Sequence, residues 1–130
     1  MKAGYALDTH IFIWINHSPS KLNANFQKIL RNTDNSFFLS MVSLWEMQIK
    51  IQLGKLTNLP SLSKLIEQNK RDNIYKILPI KETHILGLQA LPPIHKDPFD
   101  RLLISQAISE NLILLTADSN IIQYPVGLAY

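Results

Sequence analysis

The chain has 130 residues, of which 46% are hydrophobic and 18% charged, with a net charge of +3, a pI near 9.2 and no cysteine. That is the length of one domain, able to bury about two-thirds of the surface its unfolded chain exposes, and it excludes disulfides, thiol catalysis and thiolate metal sites, so any metal must be held by oxygen or nitrogen. No run approaches the ~20 apolar residues of a membrane span, and Asp8 interrupts the N-terminus before a signal-peptide core could form, so residues 1–130 read as one soluble, cytoplasmic domain whose mild positive charge is compatible with an anionic partner.

Ala3 to Leu7 is short and apolar and suits a buried first strand with Asp8 at its C-terminal end. The run from Ile11 to Ile15 is expected to be a helix packed back on the sheet, and Pro19 and Ser20 to open a second helix through about Arg31, with Leu22, Phe26, Ile29 and Leu30 facing inward. Phe37 to Ser40 reads as the second strand. Met41 to Leu53 follows as a helix with two apolar stripes, Val42, Trp45, Ile49 and Leu53 on one and Leu44, Met47 and Ile51 on the other. The first stripe is expected to meet the sheet, and Leu44, Met47 and Ile51 a second subunit or partner protein. Glu46 borders the first stripe and lies one turn before Lys50, a spacing that also suits an exposed ion pair worth only ~0.3–0.5 kcal/mol.

Gly54 and Lys55 end that helix, and Pro60 and Ser61 are expected to start another through about Asp72. Tyr75 to Pro79 suits a third strand, Lys81 to Leu91 a helix, and Leu112 to Thr116 a fully buried strand followed directly by Asp118. Ile121 to Tyr124 reads as a short turn and Val126 to Tyr130 as an edge strand. Strands alternating with helices argue for a parallel α/β sheet, in which ligands bind beyond the carboxyl ends of the strands.

Most of the chemistry lies between His95 and Ala107. Asp97 before Pro98 is a helix start, because proline excludes the α region from the residue before it, Asp caps helices well and proline suits the first helical position. Stepping 100° per residue from Asp100, the apolar Leu103, Ile104, Ala107 and Ile108 fall within about 80° of it, while Arg101, Ser105, Gln106 and Ser109 lie further round. Asp100 is thus expected on the buried face, either satisfied by backbone N–H groups at the helix start or converging with other acids. Asp8, Asp100, Asp118 and Glu46 together would be a cluster of like charges requiring bound cations or raised pKa values. Oxygen ligands at that density favour Mg²⁺ or Mn²⁺ over zinc.

Four stretches then carry a resemblance: Leu7-Asp8-Thr9-His10 with Trp14; Ser43-Leu44-Trp45-Glu46-Met47 with Gly54-Lys55-Leu56; His95 to Ala107; and Leu115-Thr116-Ala117-Asp118. In this order and spacing they resemble the PIN-domain ribonucleases, in particular the VapC-type toxins of bacterial toxin–antitoxin pairs. The resemblance implies a single PIN-like α/β domain, an open parallel sheet with helices on both faces. It further implies Mg²⁺- or Mn²⁺-dependent hydrolysis of RNA phosphodiester bonds, with the family's acidic quartet on Asp8, Glu46, Asp100 and Asp118. Asp8 and Asp100 would be direct ligands, and Asp118 and Glu46 would hold a second ion or orient water. Asp97 fits helix capping better than the site, and His10 and His95 fit hydrogen-bonding roles better than catalytic bases. The resemblance also implies a cognate antitoxin and a homodimer. The alternative is a catalytically silent PIN-fold module that binds nucleic acid or protein. A dehalogenase-like phosphatase would want a second Asp where the chain has His10, and a structure-specific DNA nuclease would want more acids than this short chain carries.

Overall fold

The computed structural model describes residues 3–56 and 61–130. Five strands, β1 (Gly4–Leu7), β2 (Ser36–Ser40), β3 (Lys76–Leu78), β4 (Ile113–Leu115) and β5 (Leu128–Ala129), form one parallel sheet in the order β3-β2-β1-β4-β5. Central β1 pairs Tyr5 with Phe37 of β2 on one side and with Ile113 of β4 on the other. Side chains alternate across a strand, so neighbouring residues serve opposite layers. Leu7 and Leu115 enter one apolar cluster, whereas Ala6 and Leu114 enter the other.

Four helices cover the first face: α1 (Thr9–His17), α2 (Ala24–Arg31), α3 (Met41–Gln52) and α4 (Leu62–Asp72). Their buried contributions include Ile11 and Phe12, Phe26, Leu44 and Met47, and Leu65. The other face is covered by α6 (Pro98–Ser109) and α7 (Ser119–Ile122) through Leu103, Ile104, Ala107 and Ile121. Short α5 (Glu82–Leu86) and a following 3-10 turn, Gly87–Ala90, pack along α6. Local signals set the ends: Asn23 accepts from Phe26 N, Ser40 from Val42 N, and Asn73, at φ +50°, closes α4 in the left-handed region.

The chain leaves β1 toward β2 and β3, then crosses back to β4 on the other side of β1. The strand order therefore reverses between β1 and β4, and the carboxyl ends there form the crevice in which open α/β sheets bind ligands. Asp8 follows β1 and Asp118 stands just beyond β4.

Several expectations change in detail. The helix expected from Pro19 to Arg31 is a 3-10 turn at Pro19–Lys21 and a separate α2, because Leu22 is extended and buried and the Asn23 carboxamide caps a new start. The expected helix from Lys81 to Leu91 is likewise split between α5 and the 3-10 turn. Ser61 caps α4, and Pro60 lies outside the described residues. On α3 the face assigned to a partner is wrong. Leu44 and Met47 are buried within the protein, and the exposed apolar side chains are Met41, Trp45 and Leu53, at 43%, 55% and 64%. Periodicity supplied two equivalent stripes, and only packing against α1 and the sheet ranks them. On α6, Ser105 and Gln106 are buried and Ile108 is 44% exposed. The helix is enclosed on several sides, and its polar side chains are hydrogen-bonded to neighbours instead of water.

Candidate active site

The site is built from three helix starts, the middle of α3 and the switch in the sheet. Asp8 leaves β1, is 1% exposed, and caps α1 by accepting from Thr9 N at 2.8 Å. Its second oxygen accepts from the Thr116 hydroxyl at 2.6 Å, and His10 Nδ1 lies 3.5 Å away. Thr116 Oγ1 also accepts from the backbone N of Asp118 at 3.0 Å, so one fully buried threonine ties both strand-end acids together. Asp118 in turn caps α7, accepting from Asn120 N at 2.8 Å.

Asp97 caps α6, accepting from Phe99 N at 2.8 Å and Asp100 N at 3.2 Å. Asp100 stands in the first turn of that helix, its side chain 14% exposed. His95 joins the acids: its Nε2 lies 2.9 Å from Asp100 Oδ2 and 3.4 Å from Asp118 Oδ2. Its Nδ1 accepts from Asp97 N at 3.2 Å, so the neutral ring carries its proton on Nε2 and donates toward the two carboxylates. Tyr124 fixes the histidine loop, its hydroxyl accepting from His95 N at 2.7 Å and from Arg101 at 3.2 Å. Ligand atoms of His95, Asp100 and Asp118 all lie within 4.8 Å of one another.

Glu46 reaches the site from the middle of α3. It is 5% exposed, and Lys50 Nζ holds Oε2 at 2.7 Å, whereas Oε1 is buried with no hydrogen-bond partner among the described residues. The ion pair compatible with the sequence therefore exists, but it neutralises only one oxygen of a carboxylate that is not on the surface. Next door, the Thr9 hydroxyl donates to Ser43 Oγ at 2.9 Å and joins the start of α1 to α3.

Electrostatics show that the four acids share one field. Burial, followed by the charges of Asp8, Asp97, Glu46 and Asp118, pushes the Asp100 carboxyl up to about 8. Burial also raises Asp8, against the lowering influence of His10 and the hydrogen bonds from Thr116 and Thr9. A bound cation would favour the charged forms of Asp100 and Asp8 that burial disfavours. The donor set is mainly carboxylate oxygen, which suits a hard divalent ion, and the orphaned Glu46 Oε1 is a buried acceptor of the kind that such an ion satisfies.

The family model for the PIN domain matches residues 5–127. The chain belongs to the PIN-domain family. No curated protein sequence matches it. Solved structures with the same PIN fold include VapBC2 from Rickettsia felis bound to a promoter DNA fragment, at 23% identity and TM-score 0.67 with 97% of each chain covered. DNA-bound VapBC from Salmonella typhimurium matches at 14% identity and TM-score 0.70, covering 98% of this chain and 97% of that one. FitAcB from Neisseria gonorrhoeae matches at 17% identity and TM-score 0.66, covering 97% and 96%.

Within this PIN domain, Asp100 and Asp118 lie close together with His95, while Asp8 and Glu46 bear on Asp100 through their charges. Thr116 and Ser43, which lie in the stretches carrying the resemblance but were given no role there, act as supporting residues, as does Tyr124, which the sequence did not single out. Thr116 carried a usable signal, a hydroxyl between a buried strand and an acid. Tyr124 carried none, because its partners His95 and Arg101 are distant in the chain.

Proposed function

We propose that this chain is a Mg²⁺- or Mn²⁺-dependent endoribonuclease hydrolysing RNA phosphodiester bonds, the toxin of a bacterial toxin–antitoxin pair. The observation that carries the reading is the buried, unpartnered Glu46 Oε1 beside an Asp100 whose charged form is disfavoured until positive charge arrives. Membership of the PIN-domain family and fold likeness to VapBC and FitAcB chains support it.

Asp8 and Asp100 would hold the ion directly, and Asp118 and Glu46 would hold a second ion or orient water. A divalent ion at such a site polarises the phosphoryl group, makes water a competent nucleophile near neutral pH and stabilises the leaving oxygen. The protein's own residues prepare that place. The Thr116 hydroxyl and the Thr9 amide fix Asp8, Lys50 holds one Glu46 oxygen and leaves the other open, and His95 holds a proton on Nε2 between Asp100 and Asp118.

A cognate antitoxin and a homodimer belong to the same reading. Met41 and Trp45 on α3 and Leu53 at its C-cap offer exposed apolar surface that such contacts would use. Among the described residues, no helix is long and apolar enough to cross a membrane.

The test is cleavage of single-stranded and looped RNA by purified protein in Mg²⁺, in Mn²⁺ and in excess EDTA. Cleavage with either ion and none with EDTA is expected. Equal cleavage in EDTA refutes the metal mechanism, and no cleavage with either ion favours the silent binding module.

A further inference from the structure

Glu46 and Asp100 sit on different helices, and their spacing depends on how α3 lies against α6. Gln106, on α6 nearly two turns beyond Asp100, is fully buried. Its side-chain nitrogen donates to Pro79 O at 3.2 Å and lies 3.2 Å from His84 Nδ1. Its oxygen accepts from the Ser40 hydroxyl. The same Ser40 oxygen caps α3, accepting from Val42 N at 3.0 Å. His84, also fully buried, accepts from Lys81 N at 3.0 Å and donates through Nε2 to Glu110 Oε2 at 3.0 Å. A continuous chain of hydrogen bonds thus runs from the partly exposed Glu110 at the end of α6, through buried His84 and Gln106, to the first turn of the helix that carries Glu46.

We propose that Gln106 is a positioning residue for Glu46: by anchoring the Ser40 cap of α3 to α6, it sets where the Glu46 carboxylate stands relative to Asp100. An apolar side chain of the same volume would fill this space equally well, so packing does not require a carboxamide. What the amide adds is direction. Its oxygen is fixed toward Ser40, whose hydroxyl, having accepted from Val42 N–H, has one proton to give, and its nitrogen is fixed by Pro79 O. Groups that hold liganding side chains in place commonly change metal affinity by about 10–100-fold when removed.

The inference rests on the nuclease reading for its functional meaning, so the experiment has one arm without metal. In metal-free protein the carbon-13 shift of the Glu46 carboxyl is recorded in wild type, Gln106→Met and Ser40→Ala, with Glu67 on α4 as the remote control and circular dichroism checking the fold. The Glu46 signal is expected to move in both variants and the Glu67 signal in neither. An unmoved Glu46 signal in folded variants overturns the proposal.

In the second arm, Mn²⁺ binding is titrated in wild type, Gln106→Met, Glu46→Gln and the double variant. Gln106→Met is expected to weaken binding about tenfold in the wild-type background and less than about twofold once Glu46 is gone, because the two act through one group. Equal weakening in both backgrounds overturns the proposal. Wild-type protein that binds no Mn²⁺ defeats the nuclease reading instead, and the metal-free arm still decides the role of Gln106.

Discussion

The Thr116 hydroxyl donates to Asp8 Oδ2 at 2.6 Å across the β1–β4 pair. This bond joins the ends of two strands far apart in the chain, and it orients a carboxyl whose charged form burial disfavours and this bond favours. Thr116→Val keeps the shape but removes the donor from a buried acceptor, which typically costs about 1–3 kcal/mol of stability. Divalent-ion affinity is expected to fall about 10–100-fold by isothermal titration, and Thr116→Ser to restore most of it. Unchanged affinity in Thr116→Val would show that the bond serves the fold alone.

The metal-free protein should lose stability as pH rises from about 4 to 8. Asp100 is raised from its ordinary 3.8 to about 8 in the folded chain, so over that interval the folded state keeps a proton that the unfolded state has released. The contribution is fully present below the unfolded value and is lost as pH climbs through the folded one. Asp8 shifts in the same direction. Thermal unfolding in EDTA should give a falling Tm across this window, and Mn²⁺ should reverse the fall by binding the folded state. Asp100→Asn should flatten the slope and raise the metal-free Tm at pH 8. A Tm rising steadily from pH 5 to 8 in EDTA contradicts this.

Asp97 has a separable job. Both of its N-terminal amide contacts go through one oxygen, and Ser can supply an oxygen there. Asp97→Ala is expected to cost ~1 kcal/mol in urea unfolding and Asp97→Ser much less. Because Asp97 also raises Asp100, either substitution should lower the Asp100 pKa. A stable Asp97→Ser protein that cleaves no RNA would place Asp97 in the chemistry.

How much of this was legible in the sequence follows from how local each signal is. Asp97 before Pro98 and Asp8 after an apolar strand are read from neighbouring residues, and both stand where those neighbours imply. The convergence of Asp8, Glu46, Asp100 and Asp118 depends on strand order, which periodicity does not encode; a family resemblance supplied it. Glu46 was ambiguous because an i,i+4 lysine suits an exposed pair and a half-neutralised buried acid equally well. Gln106 and Ser105 were placed away from the buried face because a helical wheel treats polarity as exposure. Both are polar because they bond inside, Gln106 to Pro79 and Ser40 and Ser105 to His84 O at 2.6 Å.

The corrected faces of α3 make a direct stability prediction. Met47 is fully buried among the sheet-side cluster, so Met47→Ala should cost about 2–5 kcal/mol in denaturant unfolding. Trp45 is 55% exposed and meets Phe99 edge-on at a centroid distance of 4.9 Å, so Trp45→Ala should cost clearly less. The opposite ranking would mean that the two stripes are exchanged.

The central claim is that these acids are a metal-dependent nuclease site, and the rate of RNA cleavage by Asp100→Asn tests it most directly. The substitution keeps the shape and removes the charge that four neighbouring carboxylates already oppose. Measured against wild type on one single-stranded RNA in saturating Mg²⁺ or Mn²⁺, with folding verified by circular dichroism, the account predicts a loss of at least about 100-fold. A folded Asp100→Asn protein that cleaves at the wild-type rate would contradict it.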